Sequence, residues 1–84
     1  MPARVDPELA QMMERDPQAE LEVTIVARDG LDELLRSLPS DIAIQREYHL
    51  IPSVTATARA STLQAVAEMP IVKSIEPVRP VHHC

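Results

Sequence analysis

Ile42-Ala-Ile-Gln-Arg-Glu-Tyr-His-Leu-Ile-Pro-Ser-Val-Thr-Ala-Thr-Ala-Arg59 decides the fold. Ile42, Ile44, Arg46, Tyr48 and Leu50 recur at every second position, the period of a strand whose successive side chains point to opposite faces. Ile51-Pro52-Ser53 interrupts that run with a turn, and Val54 to Arg59 resumes it in small and β-branched residues. Two strands therefore meet in a hairpin.

A strand and a helix flank this hairpin on each side. Upstream, Glu20 to Arg28 alternates, with Leu21, Val23, Ile25 and Ala27 on one face and Glu22, Thr24, Val26 and Arg28 on the other. Asp29-Gly30 turns the chain into a helix whose Leu31, Leu34, Leu35 and Leu38 repeat at helical spacing until Pro39 ends it. Downstream, Ser61-Thr-Leu-Gln64 has the pattern of a capping box and opens a helix burying Leu63, Val66 and Ala67, which Met69-Pro70 stops. Val72 to Glu76 is the last strand. Ahead of all this, Asp6-Pro7 begins a short helix with a capping acid and a proline in its first turn, and Leu9, Met12 and Met13 share its apolar face.

The order β-α-β-β-α-β, with one apolar face per strand, predicts an α+β domain of the ferredoxin-like kind. Its four-stranded antiparallel sheet carries two helices on one face and is preceded by the short N-terminal helix. Residues 1–19 form a leader, 20–78 the domain and 79–84 an extended tail. Pro77 and Pro80 exclude helix there and bias their neighbours toward extended geometry, so the tail is pre-organised to dock as a strand.

Composition narrows the function. Only about 60 residues remain for the core once both ends are set aside, near the lower limit for independent stability. With 13 acids against 8 bases, and Tyr48 as the sole aromatic, nucleic acid is not an expected partner. No apolar run reaches membrane-spanning length and no signal-peptide pattern opens the chain, so a cytoplasmic location without membrane association is expected. The single cysteine forms no internal disulfide. His82, His83 and Cys84 are potential ligands for zinc or copper, but adjacent residues of an extended chain splay their side chains and only His49 remains to complete a site. No metal, no cofactor and no catalytic residue is expected.

Three stretches carry a more specific likeness. Glu22-Val-Thr-Ile-Val-Ala-Arg-Asp-Gly30, Tyr48-His-Leu-Ile-Pro-Ser-Val-Thr-Ala-Thr-Ala-Arg-Ala60 and Met69-Pro-Ile-Val-Lys-Ser-Ile-Glu76 together resemble the inhibitor I9 family: propeptides of subtilisin-like serine proteases and their free-standing inhibitor relatives. The likeness spans roughly residues 20 to 84 in order, spacing and tail length, and Val5-Asp-Pro-Glu-Leu9 resembles the leader before many bacterial members. The resemblance implies a non-enzymatic inhibitor or folding chaperone whose partner is a subtilisin-like serine protease, engaged in cis or in trans. It implies that the outer sheet face packs on two protease helices. It also implies that the tail Pro80, Val81, His82, His83 and Cys84 enters the cleft as a product-like strand, with Cys84 in the S1 subsite and Val81 in the apolar S4 pocket. Glu76 matches a family acid that approaches the N-terminus of a protease helix, where a carboxylate is favoured. The family's next acid is Val78 here.

Thr24, Ser53, Thr55 and Thr57 would make the outer face flat enough for close approach by a partner. On residue type alone, an ordinary solvated sheet face reads equally well. The rival from another class is a small ferredoxin-like ligand-sensing or regulatory module that dimerises through its sheet. With no Asn and one Gly, the chain has little from which to build a concave polar ligand site.

Overall fold

Five strands and three helices alternate along residues 3–78, the part of the chain that the computed structural model describes. In chain order they are β1 (Arg4–Val5), α1 (Pro7–Arg15), β2 (Glu20–Ala27), α2 (Leu31–Ser37), β3 (Ala43–Tyr48), β4 (Ser53–Arg59), α3 (Ala60–Ala67) and β5 (Val72–Pro77). The protein is α+β, with one mixed sheet in the order β1-β5-β2-β4-β3. β2 sits between β4 and β5 and pairs antiparallel with both; β3 pairs antiparallel with β4.

The period of two in β2 sorts its residues as the sequence requires. Val23, Ile25 and Ala27 are buried while Thr24 and Val26 turn to the other face. Directly across from Val23 and Ile25 lie Ala56 and Val54 of β4, also buried. Leu9 and Met13 of α1, Leu31 and Leu34 of α2, and Ala60, Leu63, Val66 and Ala67 of α3 join them in one aliphatic core. The helices therefore cover a single face of the sheet, and the opposite face has no covering layer among the described residues.

Four expectations from the sequence need correction. The sheet has five strands and is mixed, because Arg4 and Val5 pair in parallel with Ser74 and Ile75. Without them the outer edge of β5 would present unpaired backbone donors and acceptors at this point. A two-residue strand has no periodicity to read.

Met12 does not share the buried face of α1: it is 46% exposed, while Leu9 and Met13, four residues apart, face the core. The N-terminal half of that helix follows the sequence closely. Pro7 occupies its first turn, and the Asp6 carboxylate accepts a hydrogen bond from the Leu9 N–H at 3.2 Å.

The capping box at Ser61 is not formed, since α3 follows β4 without a linker and already includes Ser61. Its first N–H groups are satisfied by the chain entering β2: Ala60 N–H donates to the Ala19 carbonyl and Ser61 N–H to that of Pro17, both at 2.9 Å. Thr62 instead donates its hydroxyl to the Asp41 carboxylate at 2.9 Å.

Finally, the residues of β3 do not keep one face. Ile44 lies opposite Ala56 and Arg46 opposite Thr55, so Gln45 is an extra residue in the ladder and the alternation changes phase. Ile42 stays with the core, while Arg46 and Tyr48 move to the uncovered face opposite Thr55 and Ser53. A matching irregularity in β5, where Ala27 pairs with Val72 and Val26 with Ser74, lets Val72 and Ile75 both point inward although three residues apart.

Because Ile25 is fully buried between its partners, Ile25→Ala should lower the unfolding free energy by about 2–5 kcal/mol in a urea titration. Met12→Ala on the exposed side of α1 should stay within about 0.5 kcal/mol of the parent. Equal losses would show that Met12 belongs to the core after all.

Candidate functional site

The uncovered face of the sheet is built from the outward positions of β2, β4, β5 and the far half of β3. Thr24 at its centre pairs with Thr55 on one side and Glu76 on the other; Val26 pairs with Ser53 and Ser74, and Glu22 with Thr57. The sequence-derived surface residues Thr24, Ser53, Thr55, Thr57 and Glu76 thus share one face. Short side chains along the middle of β2 and β4 keep it low, and β3 raises a rim of longer ones.

The hydroxyls on this face are not equivalent. Ser53 is only 5% exposed, and its Oγ donates to the Ile51 carbonyl at 2.9 Å, so it serves the turn between β3 and β4. Thr57 Oγ1 accepts a hydrogen bond from the Gln45 side-chain amide at 2.8 Å, which occupies the extra residue of β3. Thr24 and Thr55 are half-buried in the middle of the face.

Beside them lies an open depression of about 510 Å³, lined by Thr24, Val26, Tyr48, Leu50, Ile51, Ser53 and Glu76. Its wall is the turn after β3, where Leu50 is 99% and Ile51 64% exposed. Two aliphatic side chains so exposed at a turn beside an apolar groove form a contiguous patch, which in a soluble domain commonly marks a contact surface. Glu76, exposed on β5, supplies the negative charge at the opposite margin. By sequence period Leu50 belongs to the strand and Ile51 to the turn, and neither has a marked role; in the fold β3 ends at Tyr48 and both lie in the turn. Their signal was the unbroken apolar pair Leu50-Ile51 at a hairpin tip, where polar turn residues are usual.

Tyr48 is the other residue this arrangement redefines. Hydrogen bonding to Thr55, and secondarily to Arg46, favours the phenolate and lowers its pKa from the ordinary tyrosine value. Both partners are within reach only because the phase change in β3 puts Arg46 and Tyr48 on the face of Thr55.

The tail residues Pro80, Val81, His82, His83 and Cys84 lie outside the described residues. His49, the remaining histidine considered for a metal site, is in the exposed turn before Leu50. Among the described residues no group of three or more His, Cys, Asp and Glu side chains could hold a metal ion, and no helix is long and apolar enough to cross a membrane. No protein-family model, curated protein or solved structure matches the chain.

With no Trp and no second Tyr, the ultraviolet titration of the chain reports Tyr48 alone. Its midpoint should fall below the usual tyrosine value of about 10, and Thr55→Val should move it back upward. A midpoint unaffected by that substitution would show that Thr55 does not hydrogen-bond the phenol.

Proposed function

We propose that β2 to β5 with α2 and α3 form a ferredoxin-like unit to which β1 adds an edge, and that the chain inhibits, or assists the folding of, a subtilisin-like serine protease. It docks by the uncovered sheet face and delivers its C-terminal tail to the active cleft. The observation that carries this reading is the uncovered face itself: a low centre at Thr24 and Thr55, an apolar groove walled by Leu50 and Ile51, and a carboxylate at the margin on Glu76. Such a face combines a low centre of threonines with exposed aliphatic side chains on one side and a charge at the margin, and exposed apolar patches of this kind commonly mark protein contacts. The sequence resemblance to the inhibitor I9 family supplies the partner class and the role of the tail.

Recognition divides into two parts. The sheet face provides area and register, with Glu76 directed at the N-terminus of a protease helix, whose unpaired N–H groups and dipole favour an anion. The tail provides occupancy of the cleft: Val81 fills the apolar S4 pocket, and Cys84 lies in the S1 subsite near the catalytic serine. A tail held as an added strand is a product-like ligand, so inhibition is competitive with substrate. No residue of this chain performs chemistry in that scheme.

The test is an inhibition assay against a panel of subtilisin-like proteases. The whole chain should inhibit at least one competitively. Val81→Asp would bring an unpaired carboxylate into a desolvated pocket and should raise the inhibition constant roughly 100-fold, an effect of about 3 kcal/mol. His82→Ala, facing a less enclosed subsite, should change it less than about tenfold. Thr55→Arg should weaken binding on the sheet side without unfolding the chain. Inhibition that survives both Val81→Asp and Thr55→Arg would refute the two-part mechanism. A stable dimer in sedimentation that Thr55→Arg dissociates, with no protease inhibited, would favour the sheet-dimerising regulatory module instead.

A further inference from the structure

We propose that residues 3–19 are a brace for α3 and β5, and that through it the chain steadies Glu76, which β2 places on the uncovered face. The segment touches α3 at both ends. Ala3 N–H donates to the Ala67 carbonyl in the last turn of α3 at 3.0 Å, while the carbonyls of Pro17 and Ala19 accept from the first N–H groups of that helix. α3 has no side-chain hydrogen bond at its N-cap, so these carbonyls satisfy donors the helix's own sequence leaves open.

The same segment borders β5. Arg4 and Val5 pair with Ser74 and Ile75, and Asp6 N–H donates to the Ile75 carbonyl at 3.2 Å. Two residues of strand cannot hold themselves in register. What holds them is α1, whose Asp6 cap fixes the exit from β1 and whose Leu9 and Met13 are anchored in the core beside α3. Leu9, at 1% exposure, is among the largest fully buried side chains of the protein.

Brace, α3 and β5 are thus joined by backbone hydrogen bonds at both ends of α3 and along β5, and by the apolar anchor of Leu9 and Met13. No backbone hydrogen bond of this set reaches α2 or β3 among the described residues. This is the pattern of a cooperative unit that opens as a block. Its functional reach follows from the alternation in β5. Ile75 points into the core and pairs with Val5, and the next residue, Glu76, points to the uncovered face opposite Thr24. β2 holds β5 in register from its other side, so loosening the brace would leave β5 paired on one edge only and let the carboxylate at the margin of the groove move more freely, although residues 3–19 line no part of that groove.

Native-state amide hydrogen exchange on the full chain tests this without any partner, so its result is independent of the protease reading. Leu9→Ala should speed exchange at Asp6, Ala60, Ser61 and the β5 amides by more than about tenfold, with the amides of Leu34 and Leu38 in and after α2 changing less than about threefold. Leu9→Val, a milder truncation, should give the same ranking at smaller amplitude and keeps the comparison available if Leu9→Ala does not fold. Equal acceleration in α2 would show one indivisible unit, and unchanged exchange in α3 and β5 would show that residues 3–19 brace nothing; either result overturns the proposal.

Discussion

β2 is hydrogen-bonded on both sides, and that double pairing imposes its period of two on β4 and β5. Val23, Ile25 and Ala27 fix which face is apolar, and each neighbour must present its own aliphatic residues to the same side or bury polar groups without partners. The helices have no other surface to cover. A chain with one aromatic residue and no disulfide depends on this face for almost all of its core, since Leu, Ile, Val and Ala must fill the space that larger side chains fill elsewhere. The consequence on the other side is equally strict: whatever β2 and its neighbours turn outward has no covering layer in residues 3–78.

The sequence was most legible where periodicity and breakers agreed. Glu20 to Ala27, Val54 to Arg59 and Leu31 to Ser37 each show one clear period bounded by turn or stop signals, and each forms the expected element. Legibility failed where an extra residue or a very short element carried the information. Gln45 shifts the phase of β3, so the outward Arg46 and Tyr48 read from sequence as companions of Ile42 and Ile44. Arg4 and Val5 form a strand only because β5 offers them an edge. The helix start near Ser61 misled because its donors are satisfied by Pro17 and Ala19, distant in sequence, rather than by a local cap.

The candidate surface was legible to the same extent as the strands that build it. Thr24 and Thr55 follow from alternation in well-marked strands and lie side by side; Glu76 beside Thr24 does not, since strict alternation from buried Val72 would turn it inward and the irregularity in β5 reverses it. Leu50 and Ile51 do not follow from alternation, since a turn has none, and their exposure is a property of the folded hairpin. The groove is therefore a joint product of a regular centre and an irregular rim. Such a surface suits a partner that lies flat against the strands and meets the hairpin tip at one side, and the docking of protease helices proposed here is an arrangement of that kind.

The central claim is that the uncovered sheet face is the surface a protease engages, and side-chain methyl spectra test it most directly. During titration with a catalytically inactivated subtilisin-like protease, the methyl signals of Thr24, Val26, Ile51 and Thr55 should shift or broaden, while those of Leu9, Leu34 and Leu63 beneath the helices keep their positions. Perturbation confined to the helical side, or binding that leaves the four outer-face residues unchanged, would contradict the account.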